Sequence, residues 1–450
     1  MSEPRAAIDA TAASQRIPFF DRTLETLERP ALERLQWDRL RAMLDEVAGH
    51  NTFYRQKWAA VGADVARVHT LDDLRRLPFT TKAELLQDQL DHPPFGTTLT
   101  YPIEQYTRFH MTSGTTGRPL WWLDTPGSWD WWVRSWMFVY RAAGVGPRDR
   151  VFFAFSFGPF IGFWAGFDAA TRLGALAIPG GGQESFLRLR SIIEAGATVL
   201  VCTPSYALRL AQVAREQGID PAATPIRVTI NAGEPGANIP ATKRRIEESW
   251  GARCFDHSGM TEVGAISFEC TIQPGGVHLN ESEFIFEVVD PQTGAPAEDG
   301  RGELVVTNLG RWGSPVIRYR TGDRVHLNQT PCACGRTFVR ADGGIIGRVD
   351  DMLVVRGVNV FPSVIEEIVR QHRVVDEFQI EVFKQAEMSE IRILLEINDN
   401  AVGRDTVDRT VASVAGGVRA SFGLRVEIRA VPTGTLPSFE LKAKRVVRTE

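Results

Sequence analysis

The sequence predicts an α/β protein with a large N-terminal domain of parallel sheets flanked by helices and a small α+β C-terminal domain. Apolar strands alternate with helical stretches over residues 151–230, which is typical of a parallel sheet with helices on both faces. The 450 residues exceed what one ordinary core accommodates. A polar junction near residue 350 precedes about 100 residues that have strand and helix patterns of their own.

The composition excludes several classes of protein. The formal net charge of −4 and the lack of a basic arm argue against nucleic-acid binding. Residues 1–16 lack the apolar core of a secretory signal. Five cysteines, an odd number, favour a reducing cytoplasm over a disulfide framework. The uncharged run Val151–Phe167 is shorter than the roughly 20 residues of a membrane span. We therefore expect a cytoplasmic protein with neither a membrane nor a nucleic-acid partner.

The first 100 or so residues are predicted to be mostly helical. Four apolar side chains recur at three- and four-residue steps and form one stripe: Leu40, Met43, Leu44 and Val47. Gln36 interrupts the same face upstream, and Thr70 is a plausible N-cap for a short second helix. Further along, Trp129, Trp132 and Trp136 share one helical face, which indicates a core or a subunit contact, with stacking on a cofactor or substrate as the alternative. A homodimer is also left open.

Four apolar stretches are the predicted strands of the parallel sheet: Val151–Phe157, Leu176–Pro179, Ala197–Thr203 and Ile226–Ile230. Pro204 is expected to open the next helix as its first residue. Ligands of such sheets bind beyond the carboxyl ends of the strands. The expected functional rim therefore comprises Phe157–Gly158, Cys202–Pro204 and Asn231–Pro235.

The remaining chain is predicted to alternate between hairpins and short helices. Phe284–Val289 and Gly302–Thr307 read as a hairpin. In the C-terminal part, Pro362 is expected to begin a helix, and a valine stripe at Val407–Val418 indicates another. Alternating apolar residues predict three strands there, around residues 378–382, 391–397 and 426–430.

The stretch from Met111 to Pro119 is rich in small hydroxyl and glycine residues. Glycines let a ligand approach the backbone closely, and successive N–H groups in such a turn form an anion-binding concavity. The stretch lacks the spacing of a Walker A loop. It predicts a phosphate site, with a flexible surface turn as the alternative. The residues concerned are Ser113, Gly114, Thr115, Thr116, Gly117 and Arg118.

Three cysteines and a histidine form a candidate metal site. Cys332 and Cys334 lie in a tight turn, and Cys270 and His278 bracket an upstream glycine turn. Three thiolates and one imidazole make a complete tetrahedral zinc set, which would leave no open position for catalysis. The C-x-C spacing is unusual for such a site, so free thiols near a sheet edge are the alternative.

Six segments together resemble the adenylate-forming superfamily of acyl-CoA synthetases, adenylation domains and luciferases, and within it the phenylacetate–CoA ligase family. The resemblance runs from about Leu71 to Lys442. The segments that carry it are Met111–Pro119, Asn231–Gly236, Phe255–Glu262, Ile317–Asp323, Ile346–Pro362 and Pro437–Arg445. At one point the chain departs from the family pattern, because Ser258 replaces the aromatic residue that usually precedes the glycine. His257 or Phe255 would then have to stack on the adenine.

The resemblance implies a role for each matching residue toward ATP. Thr261 would contact the α-phosphate, Glu262 would hold Mg²⁺, and Lys442 would stabilise the charge of the reacting carboxylate and phosphate. The ATP-binding set would comprise the phosphate stretch Ser113–Arg118 together with Gly233, Glu234, Pro235, Asp256, His257, Ser258, Asp323 and Arg348. Asp323 would bond the ribose hydroxyls, and Arg348 would reach ribose and phosphate.

The resemblance also implies a mobile C-terminal domain and two further substrates. The N-terminal adenylation domain would span residues 1–349 and the mobile lid residues 350–450, with Asp350 as the hinge. Coenzyme A would bind beside Arg356, Gly357, Val358 and Asn359. The acid would bind among Phe157, Gly158, Phe160, Phe163, Trp164 and Gly259. This aromatic run has no charged residue, so we expect a small aromatic monocarboxylic acid. The family also favours a structural zinc at Cys270, His278, Cys332 and Cys334.

The expected function is therefore an AMP-forming ligation of an aryl acid to coenzyme A, with ATP and Mg²⁺. Three alternatives remain open at this point. The acyl group could pass to a carrier-protein thiol, or AMP could be transferred onto a cofactor hydroxyl. In the third alternative, the protein would bind nucleotide without catalysis.

Overall fold

The structure is a computed structural model that describes residues 18–112, 118–159, 161–356, 358–385, 388–397, 403–439 and 443–449. Several predicted site residues lie outside these ranges: Ser113, Gly114, Thr115, Thr116, Gly117, Phe160, Gly357 and Lys442. None of the helices in the described ranges combines the length and the apolar character needed to cross a bilayer.

The N-terminal region is helical, as predicted, and the four residues of the apolar stripe are buried. Gln36 does not break the buried face. Its Nε2 donates to the carbonyl oxygens of Glu281 at 2.9 Å and Phe284 at 3.0 Å, which ties the long helix to a later strand. The helices here are Arg22–Glu25, Arg29–His50, Thr52–Ala60 and Lys82–Asp91, with 3₁₀ helices at Val65–Arg67, Asp72–Arg76 and Ile103–Gln105.

A five-stranded sheet, parallel throughout, forms the centre of the first half of the large domain. Its strands, in spatial order, are Leu176–Pro179, Arg150–Phe153, Val199–Cys202, Val228–Asn231 and Arg253–Asp256. The strand predicted to reach Phe157 ends at Phe153, because the chain turns there and the Phe155 N–H bonds the Phe153 carbonyl at 2.9 Å. The sheet and its parallel direction were predicted correctly.

Helices cover both faces of this sheet. Phe152 and Leu200 share one apolar cluster, while the alternate residues Val151 and Val199 belong to another. The three predicted tryptophans on one helical face are buried in the core. The helices are Pro126–Ala142, Trp164–Leu173, Ser185–Glu194, Pro204–Glu216 and Pro240–Trp250, with a 3₁₀ helix at Pro221–Ala223. Pro204 is the first residue of its helix, as predicted.

The second large sheet is antiparallel, since it is built mainly from neighbouring strands joined by hairpins. Its strands, in spatial order, are Ser267–Glu269, Gly276–Leu279, Arg340–Asp342, Tyr319–Asn328, Arg301–Asn308 and Phe284–Val289. A seventh, Gly347–Arg348, pairs with Tyr319–Asn328. Two small hairpins join Arg108–Met111 to Trp121–Asp124 and Gly259–Met260 to Gly264–Ala265. Only one of the large domain's two main sheets is therefore parallel.

The C-terminal part has its own core of alternating strand and helix residues, which confirms its α+β character. Ile365, Ile380, Ile393 and Val414 belong to one buried cluster. The sheet order is Glu427–Val431, Met388–Ile397, Val375–Gln385 and Val446–Arg448. The helices are Pro362–Arg370 and Arg404–Phe422, and a hairpin joins Leu353–Val355 to Val358–Val360. The α/β fold class is confirmed.

Candidate active site

The carboxyl ends of three parallel strands meet at one edge of the sheet. The strand register places Cys202 opposite Asn231, and Asn231 opposite Asp256. Just beyond Asn231, Gly233 has a φ of 96°, a left-handed conformation that glycine adopts without strain. This edge is the functional rim that the sequence predicted.

The two ends of the predicted phosphate loop are held together by a hairpin. The Thr112 N–H donates to the Leu120 carbonyl at 2.9 Å, and the Leu120 N–H donates to the Thr112 hydroxyl at 2.9 Å. The Met111 N–H donates to the Pro159 carbonyl at 2.8 Å, which joins the start of the loop to the predicted acid pocket. Arg118 is exposed at the far end of the loop.

Glu262 is buried beside a cation that the sequence analysis did not assign. Its carboxylate lies 3.1 Å from Lys82 Nζ and accepts a bond from the Tyr319 hydroxyl at 3.4 Å. Lys82 is partly exposed and is the first residue of the helix Lys82–Asp91. The sequence alone does not link Lys82 to Glu262, because 180 positions separate the two residues.

The backbone of Thr261 is held by a fully buried ion pair between Arg311 and Asp124. Arg311 Nη1 donates to the Thr261 carbonyl at 2.6 Å, while Nε and Nη2 grip Asp124 at 2.6 Å each. Both side chains of the pair have no exposed surface, and the guanidinium lies between the rings of Trp122 and Trp132. A bidentate pair of this kind fixes orientation as well as charge. Sequence reasoning missed both members.

Strand pairing brings three of the predicted polar residues together. Asp323 and Arg348 are register partners on adjacent strands. Arg348 Nη1 lies 3.2 Å from the Asp323 carboxylate, and its Nε and Nη2 lie 2.8 and 3.1 Å from the carboxylate of Asp350. The pKa of Arg348 is raised because the neighbouring carboxylates, with Asp350 first, outweigh its partial burial. The predicted ribose ligand and the predicted hinge therefore share one arginine.

The segment from Asp256 to Gly259 packs inward at its start and outward at its end. Burial, with the nearby charge of Glu269, raises the pKa of Asp256 to about 7. The His257 Nδ1–H donates to the Ser267 carbonyl at 2.7 Å, and the ring packs edge-on against Trp136. Ser258 Oγ lies 2.5 Å from Ser267 Oγ, and Gly259 is exposed in a tight hairpin.

The two rings considered for adenine stacking are both buried. Phe255 belongs to the main apolar core, and burial lowers the pKa of His257 to about 4. Their role toward adenine remains a prediction.

The predicted acid pocket is a group of aromatic rings that touch edge to face. Phe157 contacts both Phe155 and Trp164, and Phe163 contacts Phe155 and Trp136. The Trp164 Nε1–H donates to the Gly158 carbonyl at 3.1 Å, which holds the turn of this segment. Phe163 is buried, whereas Phe157 and Trp164 are half-buried. The described part of this segment therefore forms an apolar, aromatic wall at the rim.

Glu234 connects the rim to the C-terminal domain. Its carboxylate accepts the N–H of Ser205 at 2.8 Å, at the start of the helix Pro204–Glu216. The same carboxylate accepts the N–H of Ala443. Desolvation raises the pKa of Glu234, and the nearby Arg445 opposes this shift. Pro235 is exposed next to it.

The predicted coenzyme A segment is a tight hairpin in the C-terminal domain. Arg356 has a φ of 48° at the turn, and its guanidinium grips Glu390 with bonds of 2.5 and 2.6 Å. Val358 and Asn359 follow on the strand Val358–Val360, which pairs with Leu353–Val355. The hairpin presents Asn359 to solvent.

The four predicted zinc ligands are brought together and buried. One donor atom from each of Cys270, His278, Cys332 and Cys334 lies within 4.8 Å of all the others. The Sγ atoms of Cys270 and Cys332 are 3.8 Å apart, and Cys334 Sγ is 3.4 Å from His278 Nε2. The His278 Nδ1–H donates to the Phe338 carbonyl at 2.9 Å, which turns the Nε2 lone pair toward the cysteines.

The chain is similar to known proteins over most of its length. The family described as the AMP-binding enzyme C-terminal domain matches residues 357–449. The phenylacetate–coenzyme A ligase of Thermus thermophilus is 32% identical over 435 residues, covering 93% of this chain and 96% of that protein. The enzyme of the same name from Escherichia coli is 34% identical over 430 residues, covering 94% and 96%.

A solved 2-hydroxyisobutyryl-CoA ligase has the same fold in two of its states. In the postadenylation state, with an acyl-AMP bound, it superposes with a TM-score of 0.92 at 27% identity, covering 100% of this chain and 96% of that one. In the thioesterification state, with an acyl-AMP and CoA, the TM-score is 0.73 at 28% identity over 100% and 96% of the chains. The described domain arrangement is therefore closer to that of the postadenylation state.

The fold and the rim together define an adenylate-forming enzyme of the acid–CoA ligase class. Within this class, the chain is more than 30% identical to two phenylacetate–coenzyme A ligases over more than nine-tenths of its length. The chain belongs to the phenylacetate–coenzyme A ligase family.

Proposed function

We propose that this protein ligates a small aromatic monocarboxylic acid to coenzyme A, with conversion of ATP to AMP and pyrophosphate. One observation carries the proposal. Glu262, which follows Thr261 six residues beyond the parallel strand Arg253–Asp256, is buried and lies 3.1 Å from the partly exposed cation Lys82. A carboxylate and a cation in this position can bind a magnesium triphosphate between them.

In the first half-reaction, a carboxylate oxygen of the acid attacks the α-phosphorus of ATP. A new O–P bond forms, the bond to pyrophosphate breaks, and acyl-AMP results. The Ser113–Gly117 stretch and Arg118 bind the phosphates, Thr261 contacts the α-phosphate, and Lys442 stabilises the charge that develops there. Asp323 and Arg348 hold the ribose. The adenine lies along Gly233, Glu234 and Pro235, opposite Asp256, His257 and Ser258.

Magnesium fits the environment of Glu262. A hard cation prefers carboxylate and phosphate oxygens, and Glu262 is a buried carboxylate that pairs with Lys82 among the residues that the structure describes. When bound, the ion would supply charge neutralisation between the phosphates. Lys82 is then free to turn toward the triphosphate, since its side chain is partly exposed.

In the second half-reaction, the C-terminal domain turns about Asp350, and the thiol of coenzyme A attacks the acyl carbon. A thioester forms and AMP leaves. Arg356, Gly357, Val358 and Asn359 bind the cofactor beside this route. Adenylation and thioester formation take place at the same site, so Lys442 must move away before the thiol can approach. A hinge between the domains would allow this movement. We place the domain boundary between residues 349 and 350.

The aromatic wall supports an aryl acid as the substrate. Phe157, Trp164 and Phe163 offer edges and faces that suit a flat ring. The pocket would be completed by Gly158, Phe160 and Gly259. Since the segment carries no charged side chain, nothing there would pair with a second carboxylate. Phenylacetate, indole or aminoaryl acids and benzoates remain as candidates.

We also propose a structural zinc at the cysteine and histidine cluster. Tetrahedral zinc with bonds of about 2.3 Å to sulfur and about 2.0 Å to nitrogen separates its ligands by roughly 3.5 to 3.8 Å. The observed separations of 3.8 Å between two sulfurs and 3.4 Å between sulfur and nitrogen match this spacing. Zinc would bind Cys270, His278, Cys332 and Cys334 and tie the strand Gly276–Leu279 to the loop that follows Tyr319–Asn328.

Cellular location and assembly stay as predictions from the sequence. Five free thiols suit the reducing cytoplasm, and a homodimer is compatible with the chain. The reaction proposed at the rim of one chain depends on neither the location nor the assembly.

The test is product analysis with a panel of aryl acids, Mg·ATP and coenzyme A. We expect equal amounts of acyl-CoA, AMP and pyrophosphate with at least one acid. AMP incorporated into a product would favour an adenylyltransferase, and acyl transfer only to a carrier protein would favour the carrier alternative. No turnover with any acid would favour a nucleotide-binding protein without catalysis.

A further inference from the structure

The helix Pro240–Trp250 starts at the rim without an N-cap of its own. Ile239 occupies the cap position and offers no side-chain oxygen, and no acidic residue lies in the first turn. Uncapped N–H groups at the start of a helix are costly unless another acceptor reaches them. Here the Ala241 N–H donates to Glu367 Oε2 at 2.7 Å. The C-terminal domain therefore supplies the cap that the helix lacks.

The neighbouring glutamate strengthens this contact. Glu366 is buried and accepts the Thr242 hydroxyl at 2.9 Å. Its other oxygen lies 3.5 Å from Arg445 of its own domain. Two consecutive carboxylates thus face the positive end of one helix dipole. We call the contacts of Glu366 and Glu367 with this first turn the glutamate dock.

A second tie fixes the chain next to the predicted catalytic lysine. Ala443 immediately follows Lys442 in the sequence, and its N–H donates to Glu234. Arg445 also donates to the Ser205 hydroxyl at 2.9 Å. These bonds and the glutamate dock all join the C-terminal domain to the rim.

The dock is tied to one domain arrangement. The chain superposes on 2-hydroxyisobutyryl-CoA ligase better in its postadenylation state than in its thioesterification state, with TM-scores of 0.92 and 0.73. A rotation of the C-terminal domain away from the rim carries both glutamates off the helix. We propose that Glu366 and Glu367 are positioning residues for adenylation. Their carboxylates cap this helix in the described domain arrangement and leave it when the C-terminal domain turns for thioester formation. The inference rests on the proposed function.

The test compares Glu367→Ala with Glu248→Ala in the full-length protein. Glu248 lies on the same helix and pairs across the same interface with Arg373 at 2.7 Å, but both side chains are largely exposed, at 53% and 79%. Such exposed pairs contribute little. Alanine suits the helical position of Glu367, so the variant is expected to fold. Three quantities are measured: the backbone amide exchange of residues 241–242, the rate of acyl-AMP formation and the rate of thioester formation.

For Glu367→Ala we expect amide exchange at residues 241–242 to be roughly tenfold faster, since a charge-assisted hydrogen bond is lost. Acyl-AMP formation should slow by roughly tenfold, while thioester formation from supplied acyl-AMP and coenzyme A stays within about twofold. Glu248→Ala should leave all three near wild type. Equal slowing of both half-reactions, or unchanged amide exchange, would overturn the dock.

The outcomes separate this inference from the proposed function. If the wild-type protein forms no acyl-AMP with any acid, the proposed function fails, yet amide exchange still decides whether Glu367 caps the helix. If acyl-AMP forms and the exchange of residues 241–242 is the same in wild type and Glu367→Ala, the function stands and the dock is wrong.

Discussion

At the scale of single residues, the proposed Mg²⁺ ligand is Glu262. Its carboxylate is buried, and among the described residues it contacts the partly exposed Lys82 and the Tyr319 hydroxyl. A buried carboxylate attracts a divalent cation more strongly than an exposed carboxylate does, because water screens the attraction less. In the proposed reaction, Lys82 would then pair with phosphate.

Glu262→Gln is expected to slow acyl-AMP formation by about 100-fold, because the amide keeps the shape but loses the charge that binds Mg²⁺. The Mg²⁺ concentration needed for half-maximal rate should rise as well. The measurement is pyrophosphate release over a magnesium titration. Glu281→Gln is the matched control, since Glu281 is also buried and paired with an arginine, at 2.7 Å, away from the rim. An unchanged magnesium dependence in Glu262→Gln would contradict the assignment.

His257 gives a prediction about pH. Burial lowers its pKa to about 4 from an ordinary value of 6.5. Between these two pH values the unfolded chain binds a proton that the folded protein refuses, so stability falls as the pH drops from about 6.5 to about 4. His257→Gln should remove its share of this loss, up to about 3 kcal/mol.

The measurement is urea unfolding at several pH values. His110, whose pKa burial also lowers to about 4, should maintain part of the slope in the variant. A pH slope that is the same in wild type and His257→Gln would mean that His257 takes up a proton in the folded protein.

Residue roles divide into those that lie within a motif and those that depend on distant partners. Asp323 and Arg348 could be named from the sequence because they lie in recognisable segments, and strand pairing does bring them together. Arg311 could not, because its partner Asp124 is 187 positions away and neither side chain lies in a motif. Contacts between distant buried charges are fixed by packing, which a single sequence does not reveal.

At the scale of elements, hydrophobic periodicity predicted which strands and helices exist better than where they end. Leu176–Pro179 and Phe284–Val289 have the predicted bounds. The strand at Val151 is shorter than predicted, since apolar residues continue past its end into the aromatic wall. Gln36 was predicted to interrupt a buried helix face, and it lies within that face because two carbonyls satisfy its amide.

The cluster of Cys270, His278, Cys332 and Cys334, where we propose zinc, gives a prediction about one element. Cys334→Ser should lower the zinc content from about one per chain toward zero and lower the melting temperature by roughly 5–10 °C. Acyl-AMP formation below the new melting temperature should remain close to wild type, because the cluster has no open coordination position. Metal analysis and calorimetry give the two values.

Cys254→Ser is the control for this prediction. Cys254 is a buried cysteine outside the cluster, and its Sγ accepts a hydrogen bond from Asn231 Nδ2 at 3.3 Å. Its replacement should therefore leave the zinc content unchanged. Full zinc content together with unchanged melting in Cys334→Ser would contradict a structural zinc.

At the scale of the whole molecule, the C-terminal part has an apolar core of its own. The C-terminal core begins near Leu353 and does not merge with the core of the large domain. The two are joined by polar contacts such as those of Glu234, Glu367 and Arg445. Polar contacts between domains can break and re-form without exposing a hydrophobic core, which suits the proposed turn of the C-terminal domain between the two half-reactions.

The most direct test of this account is the rate of acyl-AMP formation by Lys442→Ala, measured in a single turnover with Mg·ATP and acid but without coenzyme A. Lys444→Ala is the control, because Lys444 is exposed two residues further on. We expect Lys442→Ala to slow adenylation by at least about 100-fold, to form thioester from supplied acyl-AMP within about threefold of wild type, and Lys444→Ala to match wild type in both. Adenylation by Lys442→Ala at the wild-type rate would contradict the account.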